Sequence, residues 1–429
     1  MNSTRRDSMK ILQLSARVCA AMTVIFAFTV GWTGNSLGDD NCTINERQDI
    51  LNCALKNHPD IIGLKYEGLR DRKLVDIAKQ RPNPEVESRL LGGKSADDTS
   101  FNTETTLLTT WELGGKRKAR INQATALGQK PIVNIRETKE SVALQTILAL
   151  YRLRQIRTEL AQLDEAIATF NRIQKAFKAR PKLAPEQEVS LASFDLARED
   201  YKLQKTSLIQ EQSNLKYYLE LATGVSFSAL QKYLPPFKAK WPHPETNADV
   251  ANLDNATIAG AKLDQTIAQT EINVARSKAW PDLKIGPTLD TESLTSSTKV
   301  IGGVGFSIPL PILNRNKGEK AFAEADKLRA DNNFELTVRK TSIERQTQLQ
   351  RYSAAVRALK QSPPIGQLSG KHENIENLYE KGLVPSTLVI EAHRQLIDIV
   401  KTRNEQELTG IDALWRIYIL DGSLMEARL

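Results

Sequence analysis

The fold is decided by a stretch that begins at Val300 and reads VIGGVGFSIPLPILNRNKGE to Glu319. Its first half alternates with a period of two. One parity holds the apolar residues Val300, Val304, Phe306, Ile308 and Leu310, and the other holds Lys299, Gly303, Gly305 and Ser307, with Ile301 as the exception. This alternation predicts a β-strand with one apolar face. Pro309 and Pro311 end the strand, because proline has no N–H to donate to a sheet.

Three further segments show the same alternation. Their apolar or uncharged positions are Val86 and Leu90; Phe101, Thr103, Thr105, Leu107, Thr109 and Trp111; and Leu283, Ile285 and Leu289. The strands are about as long as the 9–11 residues that a tilted strand needs to cross a bilayer. Polar segments Gly92–Ser100 and Thr291–Ser297 are the predicted hairpin connections. A half-buried sheet in water shows the same pattern. Four strands cannot close a barrel, so the membrane interpretation requires several chains.

The chain repeats one structural unit. Pro84 and Pro281 begin similar strands 197 residues apart, while Leu113 and Leu313, and Pro185 and Pro385, are each 200 residues apart. Three landmarks in order at a nearly constant offset indicate a duplication. We therefore predict a first repeat over residues 39–222, a proline-rich connector over 223–254, and a second repeat over 255–429. Each repeat is predicted to contain a helix, two strands, a long helix, a turn and a helix.

Two segments predict unusually long helices. In Ile132–Phe177 the apolar residues step by four and three, as in a coiled-coil seam: Ala149, Leu153, Ile156, Leu160, Leu163, Ile167 and Phe170. A helix of about 45 residues is near 70 Å long at 1.5 Å per residue. Asn316–Gln361 predicts a second of similar length. Helices this long form a tube, a stalk or a rod.

The N-terminus predicts export. Met1–Gly38 combines basic residues, the uncharged apolar run Val18–Trp32 and a small-x-small cleavage site, as a signal peptide of the general secretion route does. Cys19 leaves with this peptide, so Cys42 and Cys53 remain as an even pair. In an oxidising compartment these two cysteines are predicted to form a disulfide.

Composition excludes several function classes. The net charge of +8 comes from 59 basic and 51 acidic residues, which are interleaved as on a solvated helix surface, so no nucleic-acid partner is predicted. The sequence contains no nucleophile elbow, P-loop or zinc-ligand motif. The four histidines, His58, His243, His372 and His393, are scattered. We therefore predict no catalytic residue, no cofactor and no metal site.

Four motifs resemble the outer membrane efflux protein (TolC) family, and in particular its heavy-metal (CzcC-like) branch. They are WELGGKRKAR at 111–120, FSIPLPILNRNKGE at 306–319, ALKNHP at 54–59 and GLVPS at 382–386. The second of these is the most specific, and the resemblance covers nearly the whole exported chain.

The resemblance implies a mainly α-helical fold with a transmembrane β portion. Three chains would each give four strands to one 12-stranded β-barrel in the outer membrane of a Gram-negative bacterium. A long α-helical coiled-coil barrel would continue it through the periplasm. The implied partners are a periplasmic membrane-fusion adaptor, an inner-membrane RND pump and outer-membrane lipid. The implied function is a passive exit duct for heavy-metal cations, and no enzyme activity is expected. The alternatives are a periplasmic coiled-coil adaptor or structural protein, or a duct for drugs or other small solutes.

The resemblance also gives roles to particular residues. The strand–helix junctions contain Gly114, Gly115, Pro309, Pro311, Asn314 and Gly318. The hairpin tips that contact the adaptor are Leu183, Ala184 and Pro185 in the first repeat, and Gly382, Leu383, Val384, Pro385 and Ser386 in the second. Glu391 occupies the position of an acidic gate residue, and Glu188 is a nearby carboxylate in the first copy. The alternative for Glu391 is a solvated side chain on a helix surface.

Overall fold

The computed structural model describes residues 42–94, 99–245, 255–294, 297–424 and 426–427. The predicted signal peptide, Met1–Gly38, lies outside these residues, as does part of the predicted connector. Within the described ranges, no helix has the length and apolar character needed to cross a membrane.

The elements follow one order twice: helix, two strands, long helical arm, turn, helix. The first set consists of α1 (Arg47–Asn57), α2 (Pro59–Lys79), β1 (Glu85–Lys94), β2 (Thr99–Glu112), α3 (Lys116–Leu127), α4 (Lys130–Lys178) and α5 (Pro185–Thr223), followed by the short α6 (Phe227–Leu230). The second consists of α7 (Ala256–Ser277), β3 (Asp282–Ser293), β4 (Thr298–Ser307), α8 (Lys317–Gln361), α9 (Ile365–Glu380) and α10 (Ser386–Leu420).

The two long helices confirm the prediction made from their periodicity. Helix α4 has 49 residues and helix α8 has 45, with ends close to the predicted ones. Along α4 the seam residues Leu153, Ile156, Leu163 and Phe170 are buried, each with at most 2% of its surface exposed. The Phe170 ring lies 5.2 Å from that of Phe194 on α5, between ring centroids. Burial of this stripe, rather than helix propensity, holds such a helix in place.

The four strands form one antiparallel sheet in the order β1-β2-β3-β4. Its register places the predicted apolar residues on a single face, because directly paired residues point the same way. Val86 pairs with Leu107, Trp111 with Leu283, and Ile285 with Phe306. The predicted alternation is therefore confirmed across all four strands. We call this set of side chains the apolar sheet face: Val86, Leu90, Phe101, Leu107, Trp111, Leu283, Ile285, Leu289, Val300, Val304 and Phe306.

The predicted hairpin connections were too long. Strand β1 continues to Lys94 and β3 to Ser293, so Gly92 pairs with Phe101 and Thr291 pairs with Val300. Backbone hydrogen bonds do not depend on apolar side chains, and the ladders therefore extend through the polar ends of the strands. Side-chain patterns mark only the apolar middle of each strand.

A disulfide joins Cys42 to Cys53, with Cα atoms 5.8 Å apart. It fastens the segment before α1 to that helix. Helix α1 is in turn attached to the end of α5, since Asn57 Nδ2 donates to the Thr223 carbonyl over 2.8 Å.

Candidate functional site: strand–helix junctions and helical turns

The first junction, between β2 and α3, depends on two consecutive glycines. Gly114 and Gly115 have φ angles of +67° and +71°, in the left-handed region that favours glycine. A Cβ on Gly114 would also lie 2.4 Å from the Trp280 side chain. Lys116 Nζ then pairs with Asp282 Oδ1 at 2.7 Å, which ties this junction to the start of β3.

The second junction, between β4 and α8, is organised by asparagines. Asn316 has a φ of +56°, a conformation that asparagine tolerates better than most residues. Its backbone N–H donates to Asn314 Oδ1 over 2.8 Å, and its Nδ2 donates to the Ala275 carbonyl over 2.9 Å. Pro309 and Pro311 lie beyond the last strand pair. Gly318 lies inside the first turn of α8, so the left-handed conformation falls on Asn316 and not on this glycine.

The first helical turn joins α4 to α5. Leu183 is partly buried against the apolar cluster around Phe170 and Phe194, whereas Ala184 and Pro185 are exposed. Pro185 is the first residue of α5, where its missing N–H costs no helical hydrogen bond. Glu188 is exposed in the first turn of the same helix, where an acidic side chain is favoured by the helix dipole.

The second turn joins α9 to α10 and lies beside the first. Gly382 has a φ of +70°, and Leu383, with 68% of its surface exposed, is followed by Val384 and Pro385. Ser386 begins α10 and its Oγ donates to Ser190 Oγ on α5 over 2.9 Å. The structure therefore brings together the predicted tips of both repeats.

The candidate gate residue Glu391 is already paired within its own chain. Arg394 Nη2 lies 2.8 Å from Glu391 Oε1, and Arg394 Nε donates to Oε2 over 2.9 Å. This hydrogen bonding, followed by that of Gln395, lowers the pKa of Glu391 below its ordinary value. The carboxylate is thus ionised at neutral pH, but the adjacent guanidinium offsets its charge.

Two of the histidines are not scattered in the fold. His372 on α9 and His393 on α10 meet, with His372 Nε2 and His393 Nδ1 3.1 Å apart, and Glu376 lies beside both. Sequence reasoning missed this cluster because it judged the residues by their separation along the chain. Two signals could have found it. His372 and Glu376 are four residues apart on one helix face, and His372 and His393 are nearly equidistant from Gly382.

Burial keeps the His393 imidazole neutral. Burial, followed by the effect of the neighbouring His372, lowers the pKa of His393 to about 3. A neutral imidazole retains a lone pair on one ring nitrogen.

Comparison with known proteins places the fold. No protein-family model matches the chain. The chain is 28% identical over 262 residues to the cobalt-zinc-cadmium resistance protein CzcC of Cupriavidus metallidurans, covering 58% of this chain and 59% of CzcC. The match therefore spans less than two thirds of that relative.

Solved structures cover far more of the chain. The open-state MtrE outer membrane channel of Neisseria gonorrhoeae aligns with a TM-score of 0.67 at 14% identity, over 88% of this chain and 89% of MtrE. The CmeC outer membrane channel of Campylobacter jejuni aligns with a TM-score of 0.65 at 16% identity, over 88% and 86%. The chain has the TolC-family fold. The predicted fold, mainly α-helical with a four-stranded β portion, and the resemblance to the family, including its heavy-metal branch, are confirmed.

Within the TolC fold, the candidate tips, gate and junctions have defined positions, but their roles remain predictions. The relatives are named as a resistance protein and as channels.

Proposed function

We propose that this chain is the outer-membrane component of a tripartite, RND-type efflux system and forms a passive exit duct for heavy-metal cations. The observation that carries the proposal is the apolar sheet face, which is exposed along all four strands. Val86, Val304 and Phe306 each leave at least 69% of their surface exposed. A contiguous exposed apolar surface of this kind marks contact with lipid or protein.

The edges of the sheet support assembly into a trimer. Strands β1 and β4 are the outer strands of a four-stranded sheet, and each leaves a row of backbone groups without a strand partner on one side. Lipid offers no hydrogen bonds to such groups, so the sheet must close. Three copies joined from β4 to β1 give 12 strands and remove every edge.

The helical hairpins give the duct its periplasmic length and its contact with the adaptor. Their exposed tip residues, Ala184 and Pro185 in the first turn and Leu383 in the second, offer apolar atoms at the ends of long helices. The metal cargo is supported by the similarity to CzcC, and a duct for drugs or other small solutes is the second candidate.

The cargo can be tested by complementation. The chain would be expressed with its adaptor and pump in a Gram-negative host that lacks its own ducts. We expect tolerance to cobalt, zinc or cadmium salts to rise while tolerance to an organic dye stays unchanged. A rise in dye tolerance alone would assign the duct to organic solutes.

The alternative of a periplasmic adaptor or structural rod predicts a different location. Outer-membrane fractions should contain heat-resistant trimers of the chain. Recovery of the chain only from the periplasmic fraction would favour the alternative.

The pairing of Glu391 with Arg394 makes the gate testable by charge. If the pair faces the lumen, Glu391→Ala leaves three uncompensated guanidinium groups in a trimer and should lower the cation preference, whereas Arg394→Ala should raise it. A change of about one kT in the lumen potential alters the local cation concentration roughly threefold. Reversal potentials in a salt gradient measure the effect.

The double variant Glu391→Ala/Arg394→Ala is the matched control, because it removes both charges and should return the selectivity to that of the unsubstituted channel. If all three variants keep the same selectivity and conductance, Glu391 has no part in the gate.

A further inference from the structure

A cluster of three potential metal ligands lies between α9 and α10, close to the second helical turn. We call it the histidine site: His372, Glu376 and His393. The two imidazoles are 4% and 2% exposed. His372 lies eight residues before the end of α9 and His393 seven residues after the start of α10, which places both about 12 Å or less from the turn along the helix axes.

The distances between the ligand atoms suit a transition-metal ion. His372 Nε2 and His393 Nδ1 are 3.1 Å apart. A tetrahedral ion with bonds of about 2.0–2.1 Å separates two nitrogen ligands by about 3.3 Å. Glu376 Oε1 lies 3.9 Å from His372 Nε2 and 2.9 Å from His393 Nε2. Movements of a few tenths of an ångström at the two nitrogens would accommodate an ion between them.

Two of the buried atoms of this site lack a hydrogen bond among the described residues. Glu376 Oε1 and His393 Nε2 each take part in no hydrogen bond within the described structure, although the two atoms are close together. Buried polar atoms without partners are costly. The other oxygen, Glu376 Oε2, lies 3.9 Å from Arg172 Nη2. Phe170 packs against His393 and shields it from water, with ring centroids 5.0 Å apart.

We propose that the histidine site binds one divalent transition-metal ion of the zinc type. The ligands are the two imidazole nitrogens, His372 Nε2 and His393 Nδ1, and the Glu376 carboxylate balances the charge. Neutral imidazole with a carboxylate suits zinc, cobalt, nickel and copper ions rather than calcium or magnesium. A carboxylate beside the second nitrogen of a ligating histidine also orients the ring and strengthens the ligand.

The ion would fasten α9 to α10 just before the turn that is the proposed adaptor contact. It would stiffen the second hairpin where α10 is also joined to α5 through Ser386. This site goes beyond the proposed duct, because passive passage needs no resident ion.

The test uses the exported chain as purified trimers, without a histidine tag and freed of metal by a chelator. Cobalt(II) is the spectroscopic probe, and zinc is titrated by calorimetry. We expect one ion per chain, with the visible absorption bands of cobalt bound to nitrogen. His393→Gln and Glu376→Gln should weaken binding tenfold or more, in line with losses at ligands and their supporting carboxylates.

Two matched variants control for other sites and for the fold. Glu373→Gln changes an exposed glutamate on the same helix, and His243→Gln changes an exposed histidine in the connector; both should bind as the unsubstituted chain does. Circular dichroism and trimer content confirm that each variant is folded. Equal cobalt binding by the unsubstituted chain and folded His393→Gln, or none by either, would overturn the proposal. Conductance of metal-free trimers is measured separately, so failure of the site and failure of the duct give different results.

Discussion

Gly286→Ala is expected to prevent the chain from forming stable trimers. Gly286 lies in β3, and a Cβ at this position would be 1.7 Å from the carbonyl oxygen of Leu107 on β2. The obstacle is backbone, so the two strands would have to move apart. Overpacking a well-packed site with one methyl group costs about 1–3 kcal/mol. We expect a cost at or above the upper end, or about a hundredfold in the folding equilibrium.

The pairing of β2 with β3 around Gly286 explains why a Cβ has no room at this position. Strands β2 and β3 pair at Thr106 with Thr288 and again at Thr109 with Ile285, and the two residues of each strand between these points are not paired across the strands. The register is the same on both sides of this gap, so no residue is inserted. Pro287 supplies no N–H there, while on its other side β3 remains paired with β4.

Other glycines of the sheet provide a graded control for this prediction. A Cβ on Gly302 or Gly303 of β4 would meet no atom within 4 Å, and one on Gly305 would meet the Thr288 side chain at 2.8 Å. The fraction of heat-resistant trimer on unheated gels should therefore be unchanged for Gly302→Ala, reduced for Gly305→Ala and lowest for Gly286→Ala. Equal trimer yields for Gly286→Ala and Gly302→Ala would contradict the assigned strand pairing.

The second large effect is expected at Glu407, whose side chain is completely buried on α10. It pairs with Arg154 of α4 and accepts hydrogen bonds from Gln155 Nε2 over 3.0 Å and from the Lys238 backbone N–H over 2.9 Å. It thus joins the first repeat, the connector and the second repeat at one point. Glu407→Ala leaves the Arg154 charge largely buried without its partner.

Breaking a buried ion pair costs about 3–5 kcal/mol. The expected loss is near 3 kcal/mol, because the Arg154 side chain is still 18% exposed. The free energy of unfolding of the helical part, followed by circular dichroism in denaturant, measures it. Glu405→Ala, which changes an exposed glutamate two residues away, should alter stability by less than about 0.5 kcal/mol. A loss at Glu407 no larger than that at Glu405 would show that the network does not hold the repeats together.

The periodicity of apolar residues predicted the positions of individual helices and strands. The seam around Leu163 and Phe170 located the helix Lys130–Lys178, and the alternation around Phe306 located β4 and its apolar side. The ends of β1 and β3 were missed because backbone pairing continues past the last apolar side chain. Pairing in a sheet is made between strands, so the sequence of one strand alone does not show how far the pairing extends.

The functional positions were less accessible to sequence reasoning. Motifs located the glycine junction at Gly114 and Gly115, whereas the pairing of Glu391 with Arg394 was missed although their spacing of three residues on one helix allows it. The meeting of His372 with His393 depends on the packing of α9 against α10. Only the histidine contact is tertiary, but both contacts alter the expected chemistry of the turn region.

The proposed duct requires three copies of this chain to span a membrane together. Planar-bilayer conductance of the purified exported chain, with its oligomeric state determined beforehand, tests it most directly. We predict discrete conductance steps that require the trimer and that are lost with Gly286→Ala but kept with Gly302→Ala. A monodisperse protein that remains in solution and never inserts would rule out the duct and favour the periplasmic adaptor.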